Sequence, residues 1–589
     1  MTDSTGSEAD HLDDLDLEDE LPDPDGSWSR AWSTLRRLVH PEITITDPPD
    51  GVTVDWDVPV AVRDGTSLRV NIFRPDDGEQ HPVLLCAHPY GKDDLPIHHR
   101  TRHGYRPSVQ YHMMRSAPLA HSAWTSWESP DPGHWVPRGY VVINADLRGW
   151  GTSEGEPAVF SAQEGLDIHD LVEWAAGQPW STGRIGMLGV SYLAISQWAA
   201  ASTRPPHLAA ICPWEGFTDL YRDFARPGGI LETGFLRVWS TVTKKRSGGR
   251  IDLLGEVERR PTCDDWYAER DRAIEAIDVP ALVCGSFSDH NLHSRGSFEG
   301  FRRIASTHKR LYTHRGPKWP TFYSAEALEA QQQFFDHVLR DLDTGLDDQP
   351  PVRVEIRTDR TTVAEVRHVD QWPPAEVRWQ VLHARPGADA HDGVLDPTPP
   401  GPEAETTVSF RGRGGHACFT HRFAQDTDVV GPMVLALAAS FQGAADFPVI
   451  VGIRKFRDGE EVPFEGSYGF QGDLVTHGML LASHRAEDPG RSLPHQPVHT
   501  HVDPRPLVDG ELVVLRVPLL PSATRFHAGD ELRLDVQGHW FHDRDPVHGQ
   551  FPVGYRTDAR GTCTIHLGPD HPTTLTIPVL PPPPSPAAD

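Results

Sequence analysis

The chain has 589 residues, 38% of them hydrophobic, and a formal net charge of -29. That length is too great for one core, so two or three domains are expected. No apolar run approaches the roughly 20 residues of a membrane span, and the acidic balance argues against nucleic acid as a partner.

Residues 1–26 hold eleven carboxylates and no Lys or Arg, which reads as an acidic, disordered tail. The stretch has no basic n-region and no apolar h-region, so no signal peptide is predicted. Six cysteines (Cys86, Cys212, Cys263, Cys284, Cys418, Cys563) lie far apart and make no C-x-x-C pair. This spacing argues against a disulfide framework or a zinc site and for a reducing, cytoplasmic compartment.

After the tail, SWSRAWSTLRRLV (27–39) places apolar residues at helical spacing and predicts a docking helix. VPVAVRDGTSLRVNIFRP (58–75) alternates around Asp64-Gly65 and predicts a β-hairpin. Short apolar runs follow: PVLLCAH (82–88), YVVINAD (140–146), RIGMLGV (184–190), AAICP (209–213), ALVCGS (281–286) and RLYTH (310–314). Continuous apolar strands suit a parallel sheet covered on both faces. Helical patterns at 161–178 and 192–202 separate several of them, which predicts a doubly wound α/β domain. The stretch 214–278 is rich in charge and aromatics and has no clear strand. It sits where an α/β hydrolase inserts a helical cap, with the second part of the core over 279–349.

From about Pro350 helical periodicity fades. Segments such as TTVSFRG, MVLALAAS, PVIVGIRKF and ELRLDVQGHW alternate and are broken by Gly, Pro and Asp. They predict an all-β sandwich or jelly roll over 350–579. PPPPSPAAD (581–589) closes the chain as a Pro-rich tail.

GVSYLAIS (189–196) lies between an apolar strand and a helix. Ser191 is therefore either a nucleophile on a strand-to-helix elbow or a serine N-cap. A hydrolase elbow reads G-x-S-x-G, and here Leu193 takes the place of the second glycine.

RDG (63–65), HPYGK (88–92), NADLRGWGTSEG (144–155), GVSYLAIS and FSDH (287–290), in this order, resemble the cocaine-esterase-like (CocE/NonD) family. That family also contains α-amino-acid ester hydrolases and X-Pro dipeptidyl-peptidases. Its elbow reads G-x-S-Y-x-G, so Tyr192 fits and only Ala194 departs. The resemblance extends to AADFPVIVGIRKFRDGE and RFHAGDELRLDV and spans most of the chain from about Val58. It implies an α/β-hydrolase core with an inserted cap and a C-terminal jelly roll.

For the site, the resemblance implies Ser191 as nucleophile, Asp289 as acid, and an oxyanion hole made by the Tyr90 hydroxyl and the Tyr192 amide. The family's base is a histidine after the last core strand. In RLYTHRGPKWPTFY (310–323) that position falls on Lys318, and His314 comes four residues early. His314 is the expected base, since imidazole titrates near neutral pH. Lys318 is the alternative, on condition that its pKa is greatly lowered. A degenerate relay is a third reading, and His290 and His293 near Asp289 are further candidates.

The expected reaction is cleavage of an ester or amide through an acyl-enzyme. An acyltransferase using the same serine and a non-catalytic binding protein on this fold are the alternatives. Trp214, Phe217, Tyr221 and Phe224 are candidates for an acyl pocket. Glu215, Glu232 and Asp219 are candidates for holding the free amine of an X-Pro substrate. The histidine clusters at 289–293, 98–99 and 538–545 read as chance among 33 histidines, so no metal and no cofactor are expected. The partner is a small-molecule or peptide substrate, with no nucleic acid or membrane, and homo-oligomerisation stays open.

Overall fold

The computed structural model describes residues 43–98, 104–108, 111, 118–387, 392–401, 406–542, 549–550 and 552–582. The acidic tail, the helix over 27–39, His99, residues 543–545 and the end of the Pro-rich tail lie outside them.

Strands β1 (Val52–Ala61) and β2 (Ser67–Pro75) form the expected antiparallel hairpin. Its turn is closed by Gly65 at φ +86°, a left-handed conformation that suits glycine. The main sheet continues through β3 (His81–His88), β4 (Val141–Asp146), β5 (Ser181–Val190), β6 (Leu208–Trp214), β7 (Ala281–Ser286) and β8 (Lys309–His314). In space the order is β1-β2-β4-β3-β5-β6-β7-β8, parallel from β4 to β8. Every residue of β4 and β7 is buried, which is why these strands read as continuous apolar runs rather than alternating ones.

Helix α1 (Ala162–Ala176) starts on the Ser161 side chain, which accepts from the Glu164 amide. Helix α2 (Tyr192–Ser202) spans the residues expected of it. Its first ten residues are all buried, so it is covered all round, as befits a helix wedged between sheet and neighbours. It packs on α1, β5 and β6. Between β6 and β7 the chain is helical, with α3 (Phe235–Arg246), α4 (Leu253–Arg259) and α5 (Asp265–Ala268). After β7 comes α6 (Ser294–Arg303), and after β8 come α7 (Lys318–Phe322) and α8 (Ala325–Arg340).

Beyond α8, β9 (Val352–Arg357) adds to β8 in parallel, and β10 (Val363–Val369) pairs with it antiparallel. The rest is all β. Thr427–Gln442 pairs with Leu512–Phe526, Thr562–Leu567 and Thr574–Leu580. Glu531–Gln537 pairs with His416–Arg422 and Pro448–Arg457. The inward side chains of these strands form a second core, including Phe419, Leu435, Ile453, Leu515, Leu534 and Ile577. The architecture is an α/β-hydrolase-like domain followed by a separate C-terminal β domain. Among the described residues no helix is long and apolar enough to cross a membrane.

Candidate active site

The carboxyl ends of β5, β7 and β8 converge on Ser191. The serine has φ 58° and ψ -115°, a strained conformation for a residue with a Cβ. Neighbours on both sides accommodate the turn. Gly189 has φ +152°, and a Cβ there would lie 2.5 Å from the Cβ of Leu193. At the position where the elbow motif carries its last glycine, the methyl of Ala194 fits because residue 216 is itself a glycine. A Cβ on Gly216 would meet that methyl at 2.5 Å. The Ser191 amide donates to the Trp214 carbonyl at 3.1 Å, and the Ser191 carbonyl receives the Ile195 amide at 2.9 Å. The serine side chain makes no cap to its helix and is directed elsewhere.

Ser191 Oγ lies 3.2 Å from His293 Nε2. His293 Nδ1 donates to Asp289 Oδ2 in a short contact, one helical turn earlier in the loop that follows β7. All three side chains are buried. Ser, His and Asp thus form a chain of hydrogen bonds with the geometry of a proton relay.

The base expected from the sequence stands elsewhere. His314 Nε2 is 3.0 Å from Glu215 Oε1, and its ring stacks on Trp214 at 6.1 Å. The reason is the period of two in a strand: Tyr312 and His314 share one face of β8, and that face is turned to Trp214. The serine's partner is His293, which had been only a further candidate. The i, i+4 spacing from Asp289 was its sequence signal. His290 faces away, with Nε2 3.2 Å from the Pro521 carbonyl.

Lys318, the alternative base, sits on the relay without touching the serine. Its Nζ lies 2.6 Å from Asp289 Oδ2 and 3.0 Å from His293 Nδ1. Burial works against its charge, but Asp289, with Glu215 and Glu128 behind, holds the ammonium above its ordinary range. A lysine so held has no lone pair to accept a proton.

The other charges follow the same balance. Burial first, and then Lys318, press the His293 imidazole down to about 4 against the pull of Asp289. Burial alone would raise Asp289, but Lys318 and His293 outweigh it and keep it below the usual carboxylate range. Burial pushes Glu128 up to about 8. Its Oε1 accepts from Trp319 Nε1 at 3.0 Å, and its own φ is 64°.

Tyr90, two residues past the end of β3, has its hydroxyl close enough to Ser191 to interact with it and accepts from Trp239 Nε1 at 3.3 Å. The Tyr192 amide opens α2 and so is one of the N–H groups for which a helix has no internal partner. The Tyr192 hydroxyl points the other way and donates to Glu164 Oε1 at 2.7 Å. The site therefore holds a hydroxyl, from Tyr90, and a helix-terminal amide, from Tyr192, beside the serine.

A wall of aromatic rings runs past Tyr192 and His293, the two residues beside the serine. Phe160 stacks on Tyr192 and Trp239 at 4.9 and 5.3 Å. Phe217 meets Phe160 at 5.2 Å and Phe224 at 5.7 Å, and stacks on His293 at 6.3 Å. Of the four candidates for an acyl pocket, Phe217 and Phe224 belong to this wall. Trp214 lies beneath, against His314, Tyr312 and Phe322. Tyr221 donates to the Pro261 carbonyl at 2.7 Å and packs within the cap.

The three candidates for an amine-binding carboxylate are all engaged. Asp219 pairs with Arg222 at 2.8 Å, and Glu215 holds His314. Glu232 accepts the amides of Gly234, Phe235, Leu236 and Gly554. Among the described residues, one grouping has three possible metal-ligand atoms within 4.8 Å of one another: Glu215, Cys284 and His314, all buried. It lies off the relay, around the Glu215–His314 pair.

Comparison with known proteins matches both halves of the chain. Residues 64–317 match the family model of the X-Pro dipeptidyl-peptidase (S15 family), and residues 344–576 match that of the X-Pro dipeptidyl-peptidase C-terminal non-catalytic domain. The cocaine esterase of Rhodococcus sp. is 24% identical over 623 residues, covering 90% of this chain and 99% of its own. A crystal structure of a CocE/NonD family hydrolase from Staphylococcus aureus superposes with a TM-score of 0.83 at 32% identity. It covers 92% of this chain and 100% of its own. An α-amino acid ester hydrolase shares the fold, with a TM-score of 0.65 at 17% identity.

Proposed function

The chain belongs to the CocE/NonD family of hydrolases, and from that premise we propose that Ser191, His293 and Asp289 are the catalytic relay of a carboxylic ester hydrolase. That the enzyme is a serine hydrolase of ester or amide substrates follows from the family. The observation that carries the residue assignment is the unbroken run Ser191 Oγ, His293 Nε2, His293 Nδ1, Asp289 Oδ2.

His293 Nε2 accepts the serine proton as Oγ attacks the carbonyl carbon. The tetrahedral oxyanion is received by the Tyr90 hydroxyl and the Tyr192 amide. The imidazolium then donates its proton to the departing oxygen, which leaves an ester on Ser191. Water, activated by the same histidine, releases the acid. Asp289 holds the Nδ1–H tautomer, so that Nε2 keeps the lone pair the first step needs.

Two observations favour an ester with an uncharged acyl group over an X-Pro peptide. The wall beside the serine is aromatic, and each of Asp219, Glu215 and Glu232 is already paired. Glu128 stands near the relay, but burial pushes it up to about 8 and its Oε1 is already engaged by Trp319. The C-terminal domain, with its two sets of antiparallel strands around one core, fits a jelly roll. All six cysteines are unpaired, which fits a reducing, cytoplasmic compartment.

The test is turnover of an activated neutral ester beside an X-Pro anilide. Ser191→Ala should lose about 10⁴-fold in kcat or more, and the ester should be the better substrate. A preference for the anilide would overturn the ester reading while leaving the serine in place.

A further inference from the structure

A lysine belongs to no ordinary Ser-His-Asp relay, and here one touches two of its three members. Lys318 is the first residue of α7, and its amide is fixed on the Ser467 carbonyl at 2.9 Å. From there its side chain runs inward, 1% exposed, to Asp289 Oδ2 and His293 Nδ1. Resting on the relay assigned above, we propose that Lys318 is a positioning residue: its ammonium anchors Asp289 and opposes protonation of His293, so that hydrolysis persists into acid.

The anchoring follows from what else Asp289 touches. Its Oδ1 is buried with no hydrogen-bond partner among the described residues. Both polar contacts of the carboxylate go through Oδ2, one from His293 and one from Lys318. Removing the lysine leaves the carboxylate held by the imidazole alone. The short contact between Oδ2 and Nδ1 requires a proton between them, which is the productive tautomer. In that tautomer Nδ1 has no lone pair for Lys318, whose proton goes to Asp289.

The electrostatic part follows from the charge count around the ring. From its own loop His293 faces Asp289, with His290 turned away to Pro521. From the elbow it faces Ser191, and from the segment after β6 it faces Phe217, with Glu215 behind and paired to His314. From α7 comes Lys318, with Glu128 beyond it on Trp319. From the C-terminal domain comes Tyr468, whose ring lies 5.4 Å from Lys318 Nζ. An aspartate beside an imidazole ordinarily stabilises the imidazolium. Here a full positive charge shares the same carboxylate oxygen, so the pair is already neutral and a second cation forms beside the first. The low value of His293, about 4, agrees in direction.

The experiment is the pH profile of kcat/KM for a neutral activated ester, with the rate of labelling by a fluorophosphonate as a second readout. Native enzyme should show its acid limb well below the roughly 6.5 of an ordinary histidine. Lys318→Met should move that limb up by about one to two pH units and slow labelling at pH 5 at least about tenfold, with far less effect at pH 8. Lys318→Arg, which keeps the cation, should hold the limb low. A native limb at 6.5 or above overturns the proposal without any variant. So does an unmoved limb in Lys318→Met, or an equal shift in Lys318→Arg. Failure of the relay itself is separate: His293→Ala would then still be labelled, whatever Lys318 does.

Discussion

Ser191 Oγ and His293 Nε2 meet at 3.2 Å although 102 residues separate them. Two structural facts create the meeting. The elbow after β5 forces Ser191 into a left-handed backbone and lifts its hydroxyl off the helix. The loop after β7 then makes one turn between Asp289 and His293, so that acid and base arrive from one segment. Lys318, four residues beyond the end of β8, reaches both of them from the start of α7.

The oxyanion hole gives a prediction at Tyr90. Tyr90→Phe removes one hydroxyl beside the Ser191 hydroxyl and keeps the ring contact with Tyr192 at 6.1 Å. The expected loss is about 10²- to 10³-fold in kcat, with KM changed little, because the donor acts on the charge that develops in the transition state. Steady-state kinetics on one activated ester checks it. A loss confined to KM would remove Tyr90 from the oxyanion hole.

The elbow gives a second prediction, through a pair of substitutions. Gly216→Ala places a methyl 2.5 Å from the methyl of Ala194. Overpacking of this kind costs about 1–3 kcal/mol, and here it bears on the turn that carries Ser191. Gly216→Ala should therefore be destabilised and poorly acylated, and adding Ala194→Gly should restore part of both, since the backbone of Ala194 and Ile195 still lies 3.1 Å from the new Cβ. A double-mutant cycle in urea, with labelling rates alongside, measures the coupling. Additive effects would show that the two residues do not share the space.

Buried carboxyls set a third expectation. Burial raises Glu128 and Glu164 to about 8 and Asp473 to about 7, against about 4.3 for a glutamate in an unfolded chain. A group with a raised folded pKa binds its proton more tightly in the folded state. Its stabilisation is complete below the unfolded value and is lost as pH rises through the folded one. The buried histidines, held low, act in the opposite sense, since an unfolded histidine is half protonated at about pH 6.5 and has lost its proton only by about pH 7.5. Stability in urea should therefore fall from about pH 7.5 to 8.5. Glu164→Gln, which can still accept from the Tyr192 hydroxyl, should flatten the fall. A stability that rises across this window would contradict the assignment.

The α/β layout was legible because buried parallel strands are continuous apolar runs. PVLLCAH, YVVINAD and ALVCGS each fall on a strand of the sheet, and α2 covers the residues that its pattern indicated. The strand-to-helix turn at Ser191 was legible from the apolar run before it and the helical pattern after it. The base was not legible. Its identity depends on how tightly the loop after β7 turns and on which face of β8 is directed inward. Asp289 and His293 are four apart in a segment whose sequence does not read as a helix, so that spacing was the single, weak sign of the turn. His314 has the right chemistry and the right strand, but the pleat aims it at Trp214 and Glu215. The exchange of glycine for Ala194 was also visible, but not the reason it is tolerated. Gly216 lies 22 residues downstream, and only the fold brings the two together.

Acylation of Ser191 by a fluorophosphonate probe in His293→Ala and His314→Ala tests the identity of the base. Labelling is followed at pH 8 on protein shown to be folded by its urea transition. If His293 is the base, His293→Ala should lose about 10³-fold or more in labelling rate. His314→Ala should label within a few fold of the native enzyme while losing stability, because it leaves Glu215 buried without its partner. Full labelling of His293→Ala together with a silent His314→Ala would contradict that assignment.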